Sequence, residues 1–201
     1  MSTQSRAQHK LCRRIGECIW DSPKCPSKKR PYAAGLAGKN RRSKKLSTYG
    51  ELLLEKQKLK AHYAISEKQL RIAYAKSKKG TGMAHEKLFK ALETRLDAFV
   101  FRSGLTPTIF AAKQAVSHGH VLVNNKKVNI SSYRLKQDDV VSINTEVSPT
   151  IAETAKNTNL NVPSYIEVDR ENCKATLTRV PEIEEIPVKC NIMSVIEFYA
   201  R

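Results

Sequence analysis

The fold is decided by residues 92–143, which read LETRLDAFVFRSGLTPTIFAAKQAVSHGHVLVNNKKVNISSYRLKQDDVVSI. The helical periodicity of the first part is predicted to end at Ser103, because Gly104 follows it. A second helix is predicted to begin with Thr106 as its N-cap and Pro107 in its first position, where the missing N–H costs nothing. The apolar stripe of that second helix consists of Ile109, Ala112 and Val116. The stretch therefore starts as two helices joined by a turn.

The hydrophobic pattern then changes from helical to alternating. Val121 and Val123 precede Asn124-Asn125, and because asparagine tolerates positive φ this pair predicts a type I′ hairpin turn. Residues 136–139 predict a second turn before the apolar strand 140–143. Together the patterns predict a helix-turn-helix packed on a small antiparallel sheet, within an α+β protein.

Three helices are predicted upstream of this stretch. The first is capped by Ser47 or Thr48, with Glu51 near the third helical position in a capping-box pattern. The second begins at Ser66 with an acidic residue in its first turn, and the third covers residues 84–95. Their apolar stripes indicate a helical lobe with its own core.

Downstream, residues 144–162 predict a polar connector with a helical portion. Short strands packed against the helices are predicted at Ile166–Val168, Lys174–Thr178 and Val195–Phe198. The predicted parts are a basic N-terminal arm 1–45, a helical lobe 46–91, the central module 92–147, and a segment 148–201 that packs back on the helical lobe.

The charge of the chain favours a polyanionic partner. Among 201 residues, 36 Lys and Arg against 19 Asp and Glu give a net charge of +17, which favours nucleic acid ahead of an anionic membrane surface. Residues 1–45 hold 13 basic and 2 acidic side chains, whereas residues 148–201 hold 6 and 8. The arm is therefore predicted to be the main phosphate-contacting segment and to become ordered on binding.

Membrane attachment and catalysis are both disfavoured by missing motifs. The sequence has no apolar run of about 18 residues, no secretory signal and no lipidation motif, so it predicts a soluble intracellular protein; the basic, Ser-containing start leaves a very short organellar transit segment open. It has no P-loop, G-x-G-x-x-G or H-E-x-x-H motif, and no nucleophile or carboxylate pair accompanies His118 and His120. We therefore expect no enzymatic activity and no small-molecule substrate.

The central module resembles the αL RNA-binding module. The matching positions are Leu96-Asp97, Arg102, Gly104, Ala112, Val116, Gly119-His120-Val121, Val123-Asn124, Val128 and Ser132-Tyr133. Some pseudouridine synthases and a tyrosyl-tRNA synthetase appendage share this module, so the flanking residues decide among families. The matching flanks are Arg13-Arg14, Ser22-Pro23-Lys24-Cys25, Lys29-Arg30-Pro31-Tyr32, 55–60, Tyr63, 66–70 and 195–199. In this order, over nearly the whole chain, they resemble bacterial-type small-subunit ribosomal protein four of the universal S-four family.

This resemblance implies a structural constituent of the small ribosomal subunit rather than an enzyme. Family members bind small-subunit ribosomal RNA at a multi-helix junction of its five-prime domain and nucleate assembly. They lie beside small-subunit proteins three and five, where messenger RNA enters, and some repress their own messenger. The implied location is the cytoplasmic ribosome, with an organellar ribosome left open. The alternative is a non-ribosomal αL-domain RNA-binding factor; an RNA-modifying enzyme would need a catalytic Asp motif and a substrate domain, which are missing.

The candidate RNA-binding residues come from the basic runs, the predicted exposed face of the module and the family match. In the arm they are Arg13, Arg14, Lys28, Lys29, Arg30, Tyr32, Lys39, Arg41, Arg42, Lys44 and Lys45. In the helical lobe they are Tyr49, Lys56, Gln57, Lys58 and Lys60. In the module they are Lys113, Gln114, Ser117, His118, His120, Asn124, Lys126, Lys127, Tyr133 and Arg134. Cations would neutralise phosphates while Tyr, His and Gln supply stacking and groove contacts, on a basic face between two lobes.

Five cysteines in an intracellular chain argue against a disulfide framework. Some family members hold a structural zinc with four cysteines in this arm, and others have lost it. The candidate ligands here are His9, Cys12, Cys18 and Cys25, whose number fits a tetrahedral zinc site but whose spacing departs from the family pattern. The alternative is a degenerate site with free thiols. Cys173 and Cys190 are predicted to be buried strand residues.

Overall fold

The computed structural model describes residues 9–20, 22–35, 46–79, 81–145, 147–158 and 160–200. The chain divides into two compact units. The helical unit consists of Met1–Leu70 and Val188–Arg201, and the sheet unit of Arg71–Pro187. The candidate residues Lys39, Arg41, Arg42, Lys44 and Lys45 lie outside the described residues.

The helical unit contains a short helix and two longer ones that pack together. These are α1 (Lys10–Ile15), α2 (Thr48–His62) and the C-terminal helix α8 (Ile192–Ala200), and the start of α3 (Glu67–Ser77) also belongs here. Ser47, one of the two predicted caps of α2, is confirmed, because its hydroxyl accepts a hydrogen bond from the Gly50 N–H at 3.2 Å; Glu51 is then the fourth helical residue rather than the third. At the start of α3, Ser66 and Gln69 bond reciprocally, side chain to backbone, as in a capping box.

The strand predicted at Val195–Phe198 was wrong, because these residues lie in α8. Its buried residues Ile192 and Val195 are three positions apart, so they share one face of a helix, and α8 packs extensively against α2. The β-branched residues of this run favour a strand locally, but packing against α2 decides the outcome.

The sheet unit begins with helices and contains the predicted helix-turn-helix. Its helices are α4 (Ala84–Glu93), α5 (Leu96–Arg102), α6 (Ile109–Ser117) and α7 (Pro149–Asn157). Gly104 follows α5 with φ of +74°, as expected of the residue that ends it. The predicted start of α6 was two residues early: Thr108, not Thr106, is the N-cap, since its hydroxyl accepts from the Ala111 N–H at 3.1 Å.

Five antiparallel strands form one sheet in the order β2-β1-β3-β5-β4. They are β1 (Val121–Val123), β2 (Lys126–Lys127), β3 (Val140–Ile143), β4 (Ile166–Asp169) and β5 (Lys174–Leu177). The predicted hairpin turn is confirmed by φ of +49° at Asn124 and +63° at Asn125. The strands β4 and β5 were predicted to pack on helices; instead β5 pairs with β3 and extends the sheet, so the chain up to Pro187 belongs to the sheet unit.

One hydrophobic core fills the sheet unit, and its buried charges are paired. Leu96, Phe99, Val116, Val141 and Leu177 are among its members. The Arg102 guanidinium forms an ion pair with the fully buried Glu93 carboxylate at 3.0 Å. The Tyr165 hydroxyl also bonds Glu93, and burial, reinforced by this carboxylate, raises the pKa of Tyr165. Every buried side-chain N or O among the described residues has a partner.

Candidate nucleic-acid interface and metal-ligand cluster

Four potential metal ligands meet in the arm although the sequence spreads them over 17 residues. They are His9 before α1, Cys12 within it, and Cys18 and Cys25 in the turns that follow. All four donor atoms lie within 4.8 Å of one another, and His9 Nδ1 is 3.3 Å from Cys25 Sγ. Around tetrahedral zinc, with bonds of about 2.3 Å to sulfur, the donor atoms lie ~3.8 Å apart. The cluster could therefore bind a metal such as zinc.

The surroundings of the two buried thiols differ. Burial, together with the neighbouring Cys25 and Cys18, raises the pKa of Cys12 to about 11, although a backbone hydrogen bond from Ile19 opposes the rise. Burial also acts to raise the pKa of Cys25, but hydrogen bonds from the Ser27 hydroxyl and backbone N–H lower it below its usual value. Three sulfur donors and one imidazole form a set that suits zinc and related metals rather than magnesium or calcium. All five cysteines of the chain are free of disulfides.

The described cations of the arm fall into two groups. The Arg13 guanidinium faces inward: its Nε–H donates to the Tyr32 carbonyl at 3.1 Å, and it lies 5.0 Å from the Tyr32 ring centroid. The exposed candidates are Arg14, Lys28, Lys29 and Arg30, and Lys10 and Lys24 are exposed as well. Arg13 and Tyr32 therefore hold the arm's own conformation, while the exposed group is placed to meet solvent or a polyanion.

The candidates on α2 are also unequal. Tyr49 is exposed and lies 5.6 Å from the Phe198 ring, whereas Lys56 is buried against α8. The Lys56 ammonium lies 4.1 Å from the Phe198 ring centroid and 3.0 Å from Glu67 Oε1. Lys58 pairs with Glu55 at 2.8 Å, Lys60 lies 3.9 Å from Glu67, and Gln57 is half-buried. Lys56 and Lys58 thus both form ion pairs within the helical unit, and Lys56 is the buried one of the two.

The end of α6 presents a polar surface. Gln114, Ser117 and His118 are exposed there, and His120, just beyond, is half-buried with its Nδ1 bonded to the Ser148 hydroxyl. Gln114, His118 and His120 line a cavity of about 280 Å³ together with Thr106, Pro107, Ala111, Ala115, Ile151 and Thr154. Mixed polar and apolar walls of this kind suit contact with a base or ribose.

Lys113 stands apart from its neighbours on α6, because it faces a buried ion pair. Arg95 donates to both carboxylate oxygens of Asp97, at 2.9 and 2.6 Å, and Lys113 Nζ is 3.8 Å from the same carboxylate. Burial lowers the pKa of Lys113, Asp97 opposes that shift, and the like charge of Arg95 adds to it. The structure therefore places Lys113 in the support of the module rather than on its exposed rim.

The hairpin carries two exposed lysines, Lys126 and Lys127, on β2. Gly119 lets Lys127 lie across the end of α6: its φ is +74°, and a Cβ there would be 2.2 Å from the Lys127 Cε. The Asn124 amide fixes the turn, donating to Asp139 Oδ1 and accepting from the Val140 N–H, both at 2.9 Å. Lys126, Lys127 and the end of α6 thus form one polar surface.

Tyr133 and Arg134 are exposed, and Arg134 lines a cleft together with lysines that the sequence patterns missed. These are Lys76 at the end of α3 and Lys87 and Lys90 on α4. The signal for the last two was present: their spacing of three puts them on one face of α4, between the positions of its apolar stripe. It was overlooked because neither lies in a basic run.

Two family models match the chain in succession. The ribosomal protein S4/S9 N-terminal domain matches residues 4–93, and the S4 domain matches residues 94–141. The small ribosomal subunit protein uS4 of Brucella abortus (strain S19) is 46% identical over 207 residues, covering 100% of both chains. The proteins of the same name from Mesorhizobium japonicum and Ruegeria sp. are 44% and 43% identical, again over 100% of both chains.

The chain belongs to the small ribosomal subunit protein uS4 family.

Membership of the uS4 family makes this a ribosomal protein and not an enzyme, and the resemblance drawn from the sequence is confirmed. The predicted α+β class is confirmed as well, with a helical N-terminal lobe and an S4 domain on a small antiparallel sheet. In this chain the match to the S4 domain stops at residue 141, within β3, although the sheet continues to β5. Among the described residues, no helix has the length and apolar character needed to cross a membrane.

Proposed function

We propose that this chain is a primary binder of small-subunit ribosomal RNA that nucleates assembly at a multi-helix junction of the five-prime domain. The observation that carries the proposal is full-length similarity: relatives named small ribosomal subunit protein uS4 align over 100% of both chains at up to 46% identity. The net charge of +17 supports it, because such a surplus is best tolerated beside a polyanion. Location in the ribosome is part of the same proposal.

The contacts proposed for this role are those left exposed by the fold. On the arm they are Arg14, Lys28, Lys29 and Arg30, and on the S4 domain Gln114, Ser117, His118, Lys126, Lys127, Tyr133 and Arg134. Phosphate contacts by the cations would fix the register of the RNA, while the polar end of α6 would read its shape. Lys56 and Lys113 would act indirectly, by holding α8 and the start of the module in place.

The finer elements of the proposal follow from the family. We infer that neighbouring small-subunit proteins three and five and the entering messenger RNA contact the assembled protein, and that it represses its own messenger. Failure to bind the leader of its own operon would remove the regulatory role.

Chemical footprinting of the purified protein on naked small-subunit ribosomal RNA tests the main proposal, with competitor RNA and a salt titration. Discrete protection at one multi-helix junction that survives competitor is the expected result. Diffuse protection that vanishes with modest salt would contradict it. Co-sedimentation with only a subset of ribosomal particles would favour a non-ribosomal RNA-binding factor with the same domain.

We propose further that His9, Cys12, Cys18 and Cys25 hold one structural zinc ion. The arm up to Tyr32 contains only one six-residue helix among its described residues, so a metal would supply order that its small core does not. Zinc here would have a structural role and would not act on a substrate. It would hold the turn that carries Trp20, whose indole N–H donates a hydrogen bond to the Ala61 carbonyl of α2 at 3.1 Å.

Metal analysis of the purified protein should give about one zinc per chain, reduced by Cys18→Ser and unchanged by Cys190→Ser, a cysteine outside the cluster. Chelation should also change the Trp20 fluorescence. Full RNA binding by a protein without metal, with unchanged fluorescence, would support free thiols instead.

A further inference from the structure

A basic cleft lies in the sheet unit, and none of its lining residues belongs to α6. Its volume is about 320 Å³, and it is lined by Lys76, Ser77, Lys87, Lys90, Ala91, Thr94 and Arg134. Four of these residues are cations, and Ala91 is the one apolar residue among the described residues that line it. Pockets that take small organic ligands are mostly apolar, so this lining favours an anion instead.

The wall that carries Arg134 is held by backbone hydrogen bonds. Arg134 forms an isolated antiparallel bridge with Arg95. The Leu135 N–H donates to the Thr94 carbonyl at 2.8 Å, and the Leu96 N–H donates to the Tyr133 carbonyl at 2.8 Å. Because the backbone on both sides of Arg134 is fixed against the end of α4, its side chain lines the cleft with the α4 lysines without a further ordering of the loop.

The two neighbouring arginines have different partners. Arg95 is buried and its guanidinium forms an ion pair with Asp97, whereas Arg134 is exposed. In the part of the chain that the structure describes, neither Lys76 nor Arg134 makes an ion pair, and Lys90 lies 3.9 Å from Glu86. The cleft therefore keeps a surplus of positive charge.

Favourable helix-end electrostatics explain only part of this arrangement. Lys76 and Lys90 lie in the last turns of α3 and α4, where a cation stabilises the negative end of a helix dipole. Lys87 lies in the first turn of α4, where a cation is unfavourable for the helix dipole. Its Nζ donates a hydrogen bond to the Lys79 carbonyl at 3.2 Å. Lys87 is therefore held at the cleft by this internal hydrogen bond, and Lys76, Lys90 and Arg134 supply the rest of its positive charge.

We propose that this cleft binds backbone phosphate of the RNA, as a second anchor distinct from the exposed end of α6 and the β2 lysines. The proposal rests on the proposed function, because it assigns an additional contact to the same RNA ligand. Lysine ammonium groups act as point charges toward phosphate, while the planar guanidinium of Arg134 can donate hydrogen bonds to two phosphate oxygens at once. The Ser77 and Thr94 hydroxyls already donate to the carbonyls of Tyr74 and Lys90, each at 2.7 Å, so the cations carry the binding.

A triple variant, Lys76→Gln/Lys90→Gln/Arg134→Gln, tests the proposal in the full chain. The matched control, Lys156→Gln/Lys174→Gln/Arg170→Gln, removes two lysines and one arginine from exposed positions of the same unit. Both variants lower the net charge by three, so the non-specific electrostatic effect is the same. Circular dichroism melts establish that both variants fold.

The probe is naked small-subunit ribosomal RNA, with affinity measured across a salt series. The cleft variant should bind about tenfold more weakly than the control, and its log–log salt slope should be less steep by about 1 for each phosphate released. Phosphate ethylation interference should show a small group of adjacent phosphates that matter for the wild type and the control but not for the cleft variant.

Equal affinity and equal salt slope in the two variants would overturn the proposal that the cleft binds phosphate, while leaving the proposed function intact. Wild-type protein that fails to protect a discrete junction would overturn the proposed function itself, and the cleft with it. Weakening of both variants to the same degree would show that only total charge matters, which also contradicts a specific phosphate anchor.

Discussion

Two arginine–glutamate pairs in the sheet unit have similar chemistry and very different surroundings. Arg102 and Glu93 are 9% and 0% exposed at their side chains, whereas Arg179 and Glu185 are 43% and 26% exposed. Both pairs have direct contacts between guanidinium and carboxylate. A surface pair adds little because water screens it, but removal of one partner from a buried pair leaves an uncompensated charge in the core.

Arg102→Met should therefore destabilise the protein by about 3–5 kcal/mol, because the buried Glu93 carboxylate loses its cation. Arg179→Met is the matched control and should leave the unfolding midpoint nearly unchanged. Urea unfolding followed by circular dichroism measures both. The double variant Glu93→Gln/Arg102→Met should recover part of the loss. Equal effects from the two arginine substitutions would contradict this account.

At the same scale, residue type alone predicted which side chains carry charge but not where they point. Lys56 and Lys113 look like Lys126 and Lys127 in the sequence, yet the first two are held against Phe198 and Asp97 while the other two are exposed. Those partners lie 142 and 16 positions away, so no local pattern reveals them. The four potential metal ligands were predicted from the number of His and Cys residues in the arm and from the family resemblance, but their convergence required the turns of the arm.

Among the elements, α8 is held to α2 and the start of α3 by two carboxylates. Glu55 accepts from the Asn191 N–H at 2.8 Å before α8 begins, and Glu67 accepts from the Tyr199 hydroxyl at 2.8 Å near its end. Burial acts to raise the pKa of each, but hydrogen bonds from Lys58 and Asn191 to Glu55, and from Tyr199 and Lys56 to Glu67, lower both below the usual 4.5. Both carboxylates thus stabilise the folded form when ionised.

The sign of the pH effect follows from these lowered values. The stabilisation is fully present above the unfolded-state pKa near 4.5 and is lost as pH falls through the lower folded-state pKa. Glu67→Gln should flatten the loss of stability between about pH 5 and pH 3, whereas Glu171→Gln, an exposed change in the sheet unit, should not. Fluorescence of the single tryptophan, Trp20, reports the helical unit during unfolding. An unchanged pH profile in Glu67→Gln would argue against this anchor.

Elements with a strong local signal were predicted well, and those decided by distant contacts were not. The turn at Asn124-Asn125 and the cap at Ser47 depend on short-range backbone chemistry, so sequence sufficed. By contrast, α8 has a β-branched apolar run whose length suits either a strand or a short helix, and α2 selects the helix. The partner of β5 was missed for the same reason, since alternation predicts a strand without naming its neighbour.

For the whole molecule, the S4 match ends before the sheet does. The core of the sheet unit includes Tyr165, Cys173, Ala175 and Leu177, all beyond residue 141. Without β5, the β3 edge and the core beneath it would face water.

We therefore expect residues 71–187 to fold as an isolated fragment, because they form one compact unit, and residues 92–147 to show no cooperative thermal transition. Circular dichroism melts of the two fragments make the comparison. A cooperative melt of the shorter fragment at the temperature of the longer one would show that the added strands contribute little.

The charge of the whole chain sets the salt dependence of RNA binding. If about eight phosphates are neutralised, the log–log slope of affinity against salt should be on the order of −7. Filter binding to naked small-subunit ribosomal RNA between 50 and 200 mM salt measures it. A slope near −2 would mean that few of the basic residues meet phosphate.

The sheet has two edges, and the chain leaves neither suited to adding a strand. One edge is β2, which is only two residues long and consists of Lys126 and Lys127. The other is β4, where Glu167 and Asp169 are exposed. Short, charged edges resist pairing with a second chain. Newly made copies that await their RNA should consequently remain monomeric and resist aggregation, so the lysines proposed to meet phosphate would also protect the protein before assembly.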